Sequence, residues 1–198
     1  MTAKLQGIFD GARQRRLRAS PKVLVLVDFI NPMRFPNAAA LARSALPAAM
    51  AAARLKARLT REGVATIYAN DNYGIWHSDF KELVTACRAL RGIRGDIANL
   101  MAPDEQDLTV LKPRHSAFHS TPLHHLLQQL KAKELILAGL STDMCVHLTA
   151  MDAYMLGYKV WVPSDCTAAE TEDSKTAALR QMAQVLKCSV RKAHAGGN

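Results

Sequence analysis

The run Lys22–Val27, KVLVLV, limits the fold more than any other stretch. It is an almost unbroken series of valine and leucine with no polar residue at alternate positions. A strand with one face in water alternates apolar and polar side chains, so this pattern predicts a strand buried on both faces. Such a strand needs a sheet around it and a helical layer on each side.

The rest of the chain supplies those layers in alternation. Residues 36–63 are rich in Ala, Leu and Arg, good helix formers, and Gly63 ends the segment. Val64–Ala69 predicts a second strand. Ser78–Leu90 places Phe80, Leu83, Val84, Cys87 and Leu90 at helical spacing, with Ser78 as cap. Asp107–Lys112 is a third strand, and Thr121–Lys131 a helix with Thr121 as cap and Pro122 in first position. Glu134–Ala138 is a fourth strand, Met144–Leu156 a helix closed by Gly157, and Lys159–Val162 a fifth strand. Thr171–Leu186 is a further helix, and Cys188–Arg191 supplies a sixth strand. The expected architecture is a three-layer α/β/α, Rossmann-like, six-stranded, mainly parallel sheet with helices on both faces.

Composition narrows the class. At 198 residues and 49% hydrophobic, the chain suits one domain with a sizeable core. That domain is expected over residues 21–192, between a basic N-terminal arm (1–20) and a disordered tail (193–198). No apolar run approaches the ~20 residues that cross a bilayer, and the first 20 residues lack the apolar centre of a secretory signal. A cytoplasmic location and no membrane partner are expected. The cysteines, at 87, 145, 166 and 188, are far apart and form no CxxC pair, so neither a zinc cluster nor a disulfide framework is predicted. The formal net charge is +9, with Arg13, Arg15, Arg16 and Arg18 clustered near the start. No nucleic-acid motif accompanies it, which favours a solvated arm over nucleic-acid binding.

Folds of this class bind ligands at the carboxyl ends of their strands. The polar residues there are Asp28, Asp71, Lys112, the Ser141–Cys145 turn and Asp165. Asp28 follows the apolar run, and a carboxylate so placed is partly desolvated and fit for general base work. Lys112 ends its strand at the same sheet edge, where its ammonium can partner Asp28. Cys145 falls in the first turn of a helix, with Thr142 or Asp143 as N-cap. Unpaired N–H groups and the helix dipole there lower a thiol pKa and can bind an oxyanion. Cys87 and Cys188, inside apolar runs, read as packing; Cys166 is read the same way. His147 is left out of the chemistry.

Three pieces, VLVLVDFIN, TVLKPRHSAF and LILAGLSTDMCVHLTAMDAYMLGYKVWVPSDCTA, in this order, resemble the isochorismatase-like cysteine hydrolases, the superfamily that includes nicotinamidase. The resemblance runs from about Val23 to Leu186, and its block around Cys145 is the specific part. It implies an acyl-transfer triad of Asp28, Lys112 and Cys145, with Cys145 as nucleophile, Asp28 as base and Lys112 as partner of the charges. It also implies a cis peptide at Leu140–Ser141, with the Ser141 and Cys145 N–H groups forming an oxyanion hole. A small-molecule substrate and a homo-oligomer, dimer or tetramer, follow from the same resemblance.

Two departures shape the expectation. Ile30 stands where members often carry glutamine, followed by Asn31. Asp71-Asn72-Tyr73 lacks the histidine of the nicotinamidase Asp-x-His metal motif, and His77 nearby does not complete a zinc site. No metal is expected, and a substrate other than nicotinamide. No GxGxxG follows a strand, so no redox cofactor is implied. Phe29, Asn31, Trp76, Phe118 and His119 are the expected substrate-pocket residues. The function expected is hydrolysis of an amide or ureido C–N bond through a thioester. The alternatives are vinyl ether cleavage on the same fold and a non-catalytic binding or scaffold domain.

Overall fold

The computed structural model describes residues 17–75 and 79–194. The strands are β1 (Lys22–Val27), β2 (Ala65–Asp71), β3 (Leu108–Lys112), β4 (Glu134–Leu140), β5 (Lys159–Trp161) and β6 (Thr167–Ala168). The helices are α1 (Ala38–Arg61), α2 (Phe80–Arg88), α3 (Ile93–Leu100), α4 (Leu123–Gln129), α5 (His147–Met155) and α6 (Glu172–Gln184). The sheet order is β3-β2-β1-β4-β5, with β6 pairing β4, and every pairing is parallel.

β1 sits at the centre, as KVLVLV demands. Val23, Val25 and Val27 enter a core shared with α4, α5 and α6, while Leu24 and Leu26 enter one shared with α1, α2 and α3. All five are fully buried. The inner face of α1 is largely alanine (Ala45, Ala48, Ala49, Ala52), so a long helix lies close over the sheet without large side chains between them. It does so despite Pro47 within it, where a backbone hydrogen bond is lost.

Several expectations are corrected. The cap of α2 is Asp79, whose carboxylate accepts the Glu82 N–H at 2.8 Å. Ser78, with Trp76 and His77, lies outside the described residues, as do Arg13, Arg15 and Arg16 of the basic arm. α3 has no counterpart in the sequence reading, because Gly92 and Gly95 break its helical signal. Gly95 is there for contact: a Cβ would lie 1.9 Å from the Leu90 carbonyl oxygen. The sixth strand is Thr167–Ala168; Cys188–Arg191 gives a single bridge, Trp161 with Ser189.

Residues near both ends of the described chain make contacts with the domain. Ser20 belongs to the fold, its N–H donating to Leu130 O and its hydroxyl accepting the Ala65 N–H. At the other end Ala193 and His194 are held, both N–H groups donating to the Asp165 carboxylate. Among the described residues, no helix is long and apolar enough to cross a membrane.

Candidate active site

β1 and β4 are neighbours whose following segments leave to opposite faces of the sheet, which opens a crevice at their carboxyl ends. Asp28 follows β1 and Cys145 follows β4. Lys112 ends β3, two strands away from β1, and its long side chain crosses in front of β2 to reach them. The Lys112 Nζ lies 2.8 Å from Asp28 Oδ2 and 3.7 Å from Cys145 Sγ. It also donates to Arg114 O at 3.2 Å and lies 3.8 Å from Asp71 Oδ2. The Asp28 carboxylate accepts the Asp71 N–H at 2.8 Å, and its charge acts on the Cys145 thiol.

Lys112 is fully buried and Asp28 nearly so. Burial favours the neutral carboxyl of Asp28 and raises its pKa, against the opposing pull of Lys112. For Lys112, burial works against the charge, but Asp28, Cys145 and Asp71 outweigh it and its pKa is raised. The Cys145 thiol is pushed up to about 12, first by burial and then by the Asp28 carboxylate, against Lys112. This corrects the expectation of a lowered thiol pKa. A helix start and one cation favour a thiolate, but a carboxylate in contact and the loss of water favour the thiol more.

The turn that carries Cys145 also differs from the expected capped α-helix. Thr142–Val146 form one wide π-turn before α5 begins at His147. Ser141 stands at the cap position and no side chain caps it. Thr142 is instead buried, its hydroxyl 2.8 Å from that of Thr167, which donates to Gly139 O. The Leu140–Ser141 peptide is cis. Thr149, also buried, donates to Cys145 O at 2.6 Å and accepts the Ala117 N–H at 3.0 Å. That hydroxyl ties the turn of Cys145 to the segment following Lys112.

The expected pocket residues divide. Phe29 is fully buried in the core shared with α1. Asn31 folds back, its Oδ1 accepting the Met33 N–H at 2.7 Å. Phe118 stacks on Tyr158 with ring centroids 6.2 Å apart, in the core on the other face. His119 is exposed and lines a cleft beside the site with Arg114, His115 and Met151. Trp76 lies outside the described residues.

Sequence reasoning missed His115, whose Nδ1 is 3.6 Å from Cys145 Sγ. It lies within the TVLKPRHSAF piece, but nothing in that piece separates it from its neighbours until the loop after β3 brings it beside the sulfur. One oxygen of Asp71 accepts the Tyr73 N–H and the other faces Lys112, and among the described residues no group of three His, Cys, Asp or Glu is placed to hold an ion.

Residues 22–190 match the Isochorismatase domain family. The chain is 36% identical over 165 residues to the uncharacterized isochorismatase family protein YaaI of Bacillus subtilis, covering 83% of this chain and 90% of that one. It is 38% identical over 80 residues to ureidoacrylate amidohydrolase RutB of Enterobacter sp., a match covering 40% of this chain and 35% of RutB. Among solved structures, an isochorismatase family protein from Desulfovibrio vulgaris superposes with a TM-score of 0.71 at 21% identity, covering 87% of this chain and 94% of that one. With one family matched from β1 through Val190 and a parallel sheet superposing on that family's fold, the chain belongs to the isochorismatase family and is a hydrolase.

Proposed function

We propose that this hydrolase cleaves a C–N bond, in an amide or ureido group of a small molecule, through a thioester on Cys145. The observation that carries the reading is the buried trio: Lys112 Nζ lies 2.8 Å from Asp28 and 3.7 Å from the Cys145 sulfur, with the Asp28 charge acting on the thiol. The ureidoacrylate amidohydrolase named among the relatives supports the bond type.

With a pKa of about 12, Cys145 rests as a thiol, so deprotonation accompanies attack. Asp28 takes the proton, and its own raised pKa makes it a better acceptor than an ordinary carboxylate. The sulfur bonds to the carbonyl carbon while the Ser141 and Cys145 N–H groups bind the oxyanion. Asp28 then passes the proton to the departing nitrogen. Water, deprotonated by the same carboxylate, hydrolyses the thioester. Lys112 holds Asp28 in place and offsets the negative charge that moves between carboxylate and sulfur.

A second reading draws on one specific feature. A carboxyl group with raised proton affinity also suits acid-assisted cleavage of a vinyl ether, without any thiol. One experiment separates the two. The purified protein and Cys145→Ala are assayed on small primary amides, ureido acids and vinyl ethers, scored for ammonia and acid release. Ammonia release by the wild type should fall more than about a thousandfold in the variant. Full turnover without the thiol overturns the thioester mechanism, and turnover of vinyl ethers alone establishes the second reading.

A further inference from the structure

The Cys145 sulfur has three polar neighbours: Asp28, Lys112 and His115. Their hydrogen-bonding capacities decide what each can do when the sulfur loses its proton. A carboxylate accepts that proton and an ammonium only donates, so the sulfur left behind is an acceptor alone. Across the 3.6 Å contact between Sγ and His115 Nδ1, the ring then meets it as a donor. We infer that His115 is a second hydrogen-bond donor to the nucleophile, opposite the buried Lys112, and a catalytic residue of this hydrolase. The inference rests on Cys145 being the nucleophile.

The role follows from where negative charge develops. When Asp28 takes the thiol proton, the sulfur carries an electron pair that Lys112 meets from inside and His115 from the open side. The same need returns in the second half of the reaction. Water adds to the thioester carbon and loses its proton to Asp28. The C–S bond breaks with its electron pair going to sulfur. The thiolate leaves against the Lys112 and His115 N–H groups, then recovers the proton from Asp28. His115 itself ends each step with the proton it began with, and no co-reactant besides water is needed.

The position also makes the idea testable. His115 is exposed and lines, with Leu148, Met151 and Met155, a cleft of about 350 Å³, so its replacement disturbs no core. Iodoacetamide alkylation of the full chain, mapped to Cys145 by peptide mass, reads sulfur reactivity without a known substrate. His115→Phe keeps the bulk over the sulfur and removes the donor; His115→Asn keeps an N–H.

Alkylation of Cys145 should slow roughly 10- to 100-fold in His115→Phe, below the effect of losing an oxyanion donor because sulfur accepts more weakly. His115→Asn should stay within about threefold of the wild type, since a retained donor meets the same charge. Melting temperatures should be unchanged, because the residue is exposed. Wild-type alkylation in His115→Phe, or equal slowing in His115→Asn, overturns the inference. The Cys145→Ala assay run in parallel keeps the two ideas apart. Its retained turnover defeats the nucleophile reading, whereas the alkylation comparison decides the His115 contact by itself.

Discussion

Asp28 meets two opposed demands. Its burial costs free energy that only a partner offsets, and Lys112 is that partner at 2.8 Å. The same carboxylate, together with burial, pushes the thiol pKa up. Asp28→Asn should therefore act in opposite directions on two measurements. With the negative charge gone and Lys112 still present, the thiol pKa should fall from about 12, and iodoacetamide should label Cys145 faster near pH 8. Hydrolysis of any substrate should drop at least about a hundredfold, because nothing accepts the thiol proton. Slower labelling together with lost turnover would show that the carboxylate does not raise the thiol pKa. The three central residues were legible because each stands just beyond a strand, where a parallel sheet collects its polar groups. His115 was not, since its place beside sulfur depends on how the loop after β3 lies against α5.

At the scale of elements, two connections outside regular structure do much of the positioning. One is the turn after β4, where the Thr142, Thr167 and Gly139 hydrogen bonds brace the chain and Thr149 links it to Ala117. Sequence reading assigned capping to Thr142 or Asp143, whereas Thr142 is turned inward by a partner 25 residues away. The other is the segment ending at His194, tied to the Asp165 carboxylate by two backbone N–H groups. Burial raises the Asp165 pKa, but those donors outweigh it and hold it below the usual carboxylate range. Its contribution is thus full above the unfolded value near 4 and is lost as pH falls through the lower folded value. Asp165→Asn should destabilise the protein by about 1–2 kcal/mol at pH 7, a modest figure because the group is partly exposed. The difference in melting temperature from the wild type should shrink toward zero near pH 2. A difference independent of pH would mean that the charge does not carry the tether.

For the whole molecule, the critical approach is between β1 and β4. Gly139 lies in β4 at a φ of 147°, beside Val27, and a Cβ there would come 2.1 Å from the Val27 carbonyl oxygen. The atom met is backbone in the central strand, so it cannot swing aside. Gly139→Ala should cost more than about 4 kcal/mol by chemical denaturation, or leave no folded protein. Gly157→Ala is the control. It has a positive φ of 82° but open space around it, and should cost only about 1–2 kcal/mol. Equal losses in the two variants would assign the effect to backbone conformation alone. By itself, the sequence determined the layers, the parallel sheet and the residues at its carboxyl edge, because burial on both faces and helical spacing are written in local patterns. Only the tertiary structure decided that Phe29 and Phe118 pack in the two cores, that the thiol rests protonated, and that His115 stands over the sulfur. Those outcomes depend on distances between residues far apart in the chain, and on how much water the folded site excludes.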